Sequence, residues 1–310
     1  MYNNDSMMNE ERVIEMNFGN VLTAMVTPFD ADNNVDLSQT TVLIEYLLAN
    51  GTDGLVIAGT TGESPTLSND EKINLFKHVV NVVDKRVPVI AGTSSNDTNS
   101  SIEMTKAAEA CGVDAVMLVA PYYNKPNQAG LYAHFSAIAE ATKLPVMLYN
   151  IPGRSVVHID ADTIIKLSEI KNIVSVKEAS GNLEQAAEII AQTSNDFSVY
   201  CGDDALTLPM LAIGANGVVS VASHVIGNEM QQMTKAFQQG NVQEAAAIHR
   251  RLLPLMSGLF MAPSPTPVKK ALSWTGIDTG TVRLPLVELT DEEHQQLQLI
   301  YNQTMKAPHA

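Results

Sequence analysis

Residues 21–30 read Val-Leu-Thr-Ala-Met-Val-Thr-Pro-Phe-Asp. The run Val21–Thr27 has the length and apolar character of a buried strand, and it ends in Thr27-Pro28-Phe29-Asp30. A doubly wound open sheet normally follows its first strand with a glycine-rich turn that brings backbone N–H groups up to a phosphate. No such turn stands here, which favours a closed barrel. Runs of the same kind recur at Gly54–Ala58, Val87–Ala91, Ala115–Ala120, Pro145–Tyr149, Ile173–Lys177, Ser198–Cys201 and Gly217–Val221. Segments with helical period lie between them, such as Leu37–Leu48, Glu71–Val83, Ser101–Ala110 and Leu131–Ala141. Ser68 and Glu71 form a capping box at the entry to the second of these. A spacing of about 20 to 35 residues from run to run suits one βα unit each. Eight units in succession predict an α/β fold, a (β/α)8 TIM barrel over residues 18–240.

After residue 240 the strand signal stops. Residues 241–262, 267–274 and 290–305 read as helices between turns bearing Pro and Gly, so a C-terminal helical extension over 241–310 is expected to pack on the barrel. Thr290 is the N-cap of the last helix, with Asp291, Glu292 and Glu293 at the positive end of its dipole. Residues 1–17 lack the basic start and apolar core of a signal peptide and read as a flexible tail.

Of the 310 residues, 45% are apolar and only 17% charged, enough to bury a large core. The formal charge of −15 argues against nucleic acid, which needs a basic face, and against an anionic membrane surface. Cys111 and Cys201 sit in apolar contexts without metal-ligand spacing and read as thiols of a reducing compartment. No run reaches the roughly 18 apolar residues of a membrane span. The longest candidate, Leu252–Ala262, is broken by Pro254, Ser257 and Gly258. A cytoplasmic protein with neither nucleic-acid nor membrane partner is expected.

In a barrel of this class the reactive groups stand at the carboxyl ends of the strands. Those ends carry Gly59-Thr60-Thr61-Gly62-Glu63, Pro121-Tyr122-Tyr123-Asn124, Tyr149-Asn150-Ile151-Pro152-Gly153-Arg154, Lys177-Glu178, Gly202-Asp203-Asp204 and Val218-Val219-Ser220. Most other lysines lie on periodic helical segments or ahead of strands, where a cation is solvated. Lys177 instead ends a β-branched run, where an ammonium is costly unless it is paired or loses its proton. Two readings follow: a lysine paired with a nearby carboxylate, or an amine nucleophile able to form a Schiff base with a carbonyl. Thr60-Thr61 between glycines suits a carboxylate, Tyr123 and Tyr149 suit proton transfer, and the fork of Arg154 suits a second carboxylate. Each also has an ordinary use, in a tight turn, a satisfied hydrogen bond or a helix start. The seven histidines are scattered without zinc spacing, and no Ser-His-Asp elbow appears, so imine chemistry without metal or cofactor is the economical choice.

At these residues the chain resembles the 4-hydroxy-tetrahydrodipicolinate synthase (dihydrodipicolinate synthase) family of pyruvate-dependent class I lyases, which also include N-acetylneuraminate lyase. The resemblance runs from about Gly19 to the last helix, on the motifs at Gly59–Glu63, Pro121–Asn124 and Tyr149–Arg154 together with Lys177-Glu178-Ala179-Ser180-Gly181-Asn182. It implies that Lys177 forms an imine with pyruvate and that Tyr149, Thr60 and Tyr123 relay protons, Tyr123 reaching in from a neighbouring subunit of a homodimer or homotetramer. Thr61 and the backbone around Val219 would hold the pyruvate carboxylate, with Gly202 also at the substrate. Arg154 would bind L-aspartate 4-semialdehyde. A sister aldolase acting on a sugar acid and a non-catalytic binding barrel are the competing readings. In lysine-inhibited relatives the effector lies against the first tyrosine of the Tyr-Tyr pair, here Tyr122, held by a glutamate and by histidines. This chain keeps Ser64, Asn96 and Tyr122 but has Ser100 for the glutamate and Asn69 and Lys72 for the histidines, which implies weak or absent inhibition.

Overall fold

The eight apolar runs form eight parallel strands that close on themselves: β1 (Val21–Ala24), β2 (Gly54–Ile57), β3 (Val89–Gly92), β4 (Ala115–Val119), β5 (Val146–Asn150), β6 (Ile173–Glu178), β7 (Ser198–Cys201) and β8 (Gly217–Ser220), with β8 pairing back onto β1. The structure, a computed structural model, describes residues 18–306, so the tail expected over 1–17 lies outside the described residues. The strand edges depart from the sequence reading where chemistry requires it. β3 and β5 begin one residue after Pro88 and Pro145, because proline has no N–H for the ladder. Each proline offers only its carbonyl, accepting from the N–H of Leu55 and of Val116 at 3.0 Å. β1 ends at Ala24: the Met25 N–H still donates to Val56 O of β2 at 2.9 Å, but the Val26 N–H turns away to His224 Nε2 and the Thr27 hydroxyl donates to Gly62 O.

Helices α1 (Leu37–Ala49), α2 (Asn69–Val83), α3 (Thr98–Cys111), α4 (Gln128–Glu140), α5 (Pro152–Ser155), α6 (Ala161–Ser168), α7 (Leu183–Gln192), α8 (Thr207–Ala212) and α9 (Ser223–Gln238) follow their strands around the barrel. The Ser68–Glu71 box is formed in both directions at the start of α2. The C-terminal segment adds α10 (Val242–Gly258), α11 (Thr266–Ser273) and α12 (Asp291–Lys306), the last opened by Thr290 and Glu293 bonding reciprocally.

Two apolar clusters result from the period-2 alternation of the strands. Phe18, Leu22, Val56, Ile90, Met147 and Val219 fill the barrel, while Leu43, Leu75, Phe76, Leu131 and Phe135 seal the sheet against the helices. Leu252 and Leu255 of α10 and Leu297 of α12 belong to that outer cluster, so the C-terminal helices are packed onto the barrel wall. One irregularity matters for the site. The β5–β6 register skips a residue, pairing Val146 with Ile173 and then Met147 with Ser175. The extra residue, Val174, turns into the barrel interior, and the shifted register puts Lys177 directly beside Tyr149.

Candidate active site

Lys177 points into the barrel, 5% exposed, and its outward neighbour Glu178 is equally buried. Glu178 is fully occupied by neutral donors: Asn150 Nδ2 at 2.9 Å, Gln185 Nε2 at 3.2 Å and the Ser180 N–H at 2.7 Å. Among the described residues no carboxylate pairs with Lys177, so of the two readings open in the sequence the paired one is not what the fold builds. Its neighbour is instead the ring of Tyr149, with Nζ 4.3 Å from the centroid. Gly202 explains how the long side chain fits. A Cβ at 202 would lie 3.0 Å from Lys177 Cε, 3.1 Å from its Cγ and 2.5 Å from Ala179 Cβ. Gly202 therefore clears room for the lysine.

Tyr149 lines a cavity of about 290 Å3 together with Thr60, Met117 and Arg154, while Lys177 lies against the Tyr149 ring and is not itself part of the lining. The cavity brings together three of the candidate residues. Thr61 is buried and not part of the lining, and Val219 belongs to the packed barrel interior. Arg154 reaches the rim from the single turn α5 and is exposed, with no ion pair among the described residues. The Thr60-Thr61 turn is bounded by residues in left-handed backbone conformation, Ala58 at φ 48° and Glu63 at φ 56°. Gly92 permits this curl, since a Cβ there would lie 2.4 Å from Ala58 O.

Tyr123 does not line the cavity of its own chain. It is 89% exposed and held at φ 72°, an unusual backbone for tyrosine. The loop that holds it is cross-linked to Asn96: Asn124 Nδ2 donates to Asn96 O at 2.8 Å, and Asn96 Nδ2 donates to Tyr122 O at 3.1 Å. Strained residues persist where the surroundings over-determine them, and such places tend to be functional.

Two buried residues brace the site without being legible as parts of it. Asp203 caps a short helical turn that begins at Asp204, as a helix start requires, and Asp204 is in addition 2% exposed and accepts from Ser220 Oγ at 2.5 Å and from the N–H groups of Val221 and Ala222, clamping the loop after β8. Burial raises its pKa. His224 accepts the Val26 N–H at Nε2 (3.1 Å) and donates from Nδ1 to Val221 O (2.8 Å), so it ties the loops after β1 and β8 as a neutral ring. Burial lowers its pKa from 6.5 to about 4. The folded state thus resists protonation, and its advantage is whole above pH 6.5 and lost as the pH falls through about 4. That loss amounts to about 3 kcal/mol. Thermal melts of His224→Gln should show a shallower decline between pH 6.5 and 4 than wild type; parallel declines would remove His224 from the acid response.

Comparison with known proteins follows the same lines. Residues 17–304 match the model of the dihydrodipicolinate synthetase family. A 4-hydroxy-tetrahydrodipicolinate synthase of Halalkalibacterium halodurans is 64% identical over 93% of this chain and 99% of its own. The crystal structure of a dihydrodipicolinate synthase from Bacillus anthracis superposes with a TM-score of 0.92 at 59% identity, covering 94% of this chain and 99% of that one. One from Cyanidioschyzon merolae, solved with lysine bound, gives 0.92 at 49% identity, covering 94% and 99%.

Proposed function

The chain belongs to the dihydrodipicolinate synthetase family, and on that premise we propose how the rim of its barrel condenses pyruvate with L-aspartate 4-semialdehyde. The Lys177 amine adds to the C2 carbonyl of pyruvate and expels water, leaving an imine. Loss of a C3 proton gives the enamine, whose C3 bonds to the aldehyde carbon of the second substrate. The amino nitrogen of that substrate then closes onto C2, the bond from C2 to Lys177 breaks, and 4-hydroxy-tetrahydrodipicolinate leaves with the amine restored. The observation that carries this reading is the buried Lys177, with no carboxylate partner among the described residues and its Nζ 4.3 Å from the centroid of the Tyr149 ring at the barrel's carboxyl end. Thr61 and the backbone at Val219 hold the pyruvate carboxylate. Tyr149, Thr60 and a neighbour's Tyr123 carry protons. The exposure of Tyr123 supports an assembly of at least two chains.

The substrate is tested by assay. Turnover of pyruvate with aspartate semialdehyde should exceed cleavage of N-acetylneuraminate or 2-keto-3-deoxy sugar acids; the reverse order would place the chain among the sister aldolases. Arg154 lines the same cavity as Tyr149 and binds the second substrate's carboxylate. Arg154→Lys keeps the charge but loses the two-pronged fork. The KM for aspartate semialdehyde should rise about 10- to 100-fold while pyruvate imine formation survives. Equal damage to both half-reactions would show that Arg154 serves the site as a whole.

Lysine should inhibit weakly or not at all. Lys72 of α2 is half-buried and lines the cavity beside Ser64 and Tyr122, and burial lowers its pKa. A cationic effector there would meet a second cation, with Ser100 in place of a carboxylate. One missing ion pair and one like-charge contact cost on the order of 2–5 kcal/mol. That is a factor of roughly 30 to several thousand in affinity. In a steady-state titration, half-inhibition by lysine below about a millimolar would show that Asn96 and Tyr122 suffice.

A further inference from the structure

The Thr60-Thr61 turn is fastened from outside the barrel. Glu63 closes it, donating its N–H to Thr60 O at 3.1 Å, so a shift of Glu63 passes to Thr60 through one hydrogen bond. The Glu63 side chain is 3% exposed, and both oxygens are held by the C-terminal segment. Oε1 lies 2.9 Å from Nζ of Lys269 on α11, and Oε2 accepts the backbone N–H of Arg283 at 2.9 Å. Lys269 also donates to Thr281 O at 2.7 Å. Its Nζ sits 4.2 Å from the centroid of Phe29, on the loop after β1, and the Arg283 guanidinium lies 4.3 Å from the same ring. Arg283 further donates to Thr66 O at 2.8 Å and pairs with Glu71 at 2.5 Å. Three segments distant in sequence are thus locked at one point behind the turn.

An ammonium and a carboxylate buried this deeply are a poor source of stability, because desolvating both offsets much of their attraction. An apolar pair of similar volume is often as stable. What the ion pair adds is direction: it fixes where the Glu63 carboxylate stands, and so where the turn begins. We propose that Lys269 is a positioning residue of the reaction, setting Thr60 and Thr61 against bound pyruvate through Glu63. The C-terminal helices are then the mount of the carboxylate cradle. This rests on the reading of Thr60-Thr61 given under Proposed function.

Charge supplies an independent readout. Lys269 faces Glu63 from the β2–α2 loop, Arg283 from its own segment and the Phe29 ring; Glu71 faces Arg283. Burial, only partly offset by Glu63, lowers the Lys269 pKa from 10.5 to about 8. The ammonium is therefore present in the fold below about pH 8 and lost as the pH rises through it, so the pyruvate KM should rise there.

The decisive variant is Glu63→Gln with Lys269→Met, which keeps the volumes and removes both charges. It should melt within about 4 °C of wild type. Its pyruvate KM should nevertheless rise about 10- to 100-fold, with slower formation of the borohydride-trappable imine. Lys269→Arg, whose guanidinium keeps its proton, should restore much of the KM and abolish its rise above pH 8. A stable double variant with a pyruvate KM within about twofold of wild type overturns the proposal, since such a change is within the scatter of surface substitutions. Should the double variant not fold, the pH profile decides: no rise in wild type, or the same rise in Lys269→Arg, overturns it. Failure of wild type to trap pyruvate on Lys177 would instead overturn the underlying pyruvate reading.

Discussion

Borohydride added together with pyruvate should leave one reduced pyruvate adduct per chain, on the peptide that contains Lys177. The expectation follows from what surrounds that amine. Lys177 is 5% exposed, lies on the Tyr149 ring, and has no carboxylate partner among the described residues. The other deeply buried lysine, Lys269, is engaged by Glu63, Thr281 O and the Phe29 ring, and so is not available as a nucleophile. Lys177→Ala should abolish the adduct and lower kcat/KM by about four orders of magnitude or more, the scale seen when a nucleophile is removed from a catalytic unit. The variant should still fold, because the lysine side chain bonds to none of the braces around it, and far-ultraviolet dichroism checks this. An adduct on any other lysine, or none at all in wild type, would sink the imine mechanism.

The barrel was legible because its signal is local and repeated. Each strand is a short apolar run, each helix has its own period and cap, and the order of elements leaves few topologies. Lys177 was legible for the same reason: its oddity shows within five residues. The supports were not, because closure of the barrel brings them together. Arg283 meets Glu63 across 220 residues, and His224 meets Val26 across 198. Nothing in Gly59-Thr60-Thr61-Gly62-Glu63 announces a partner in the C-terminal segment. Lys269 lies on a periodic helical segment, where the sequence reads a solvated cation, yet it is 5% exposed and paired. Gly202 was picked out as a substrate contact; its steric service to Lys177 is a further role, and only the position of Lys177 Cε discloses it. Helical periodicity locates a face; it does not say what another segment will lay against it.

Tyr123→Phe should lower kcat by about 10²- to 10⁴-fold while leaving the pyruvate adduct on Lys177, because a proton carrier acts in the transition state rather than in imine formation. If the tyrosine serves a neighbouring chain, the defect should be curable by mixing. Tyr123→Phe subunits keep an intact Lys177 but lack the incoming phenol. Lys177→Ala subunits are inert but still present Tyr123. In a mixed dimer the site on the first subunit is complete, while the other is dead. Random pairing makes half of the dimers mixed, each with one working site of two, so activity should return to about a quarter of wild type across an isologous interface. The exposure of Tyr123, its φ of 72° and the Asn96–Asn124 cross-links are what favour this over a tyrosine folding back onto its own cavity. A mixture no more active than the sum of its parts, with subunit exchange verified by native mass spectrometry, would return the tyrosine to its own chain. So would a wild-type monomer, identified by sedimentation, that is fully active at the same concentration.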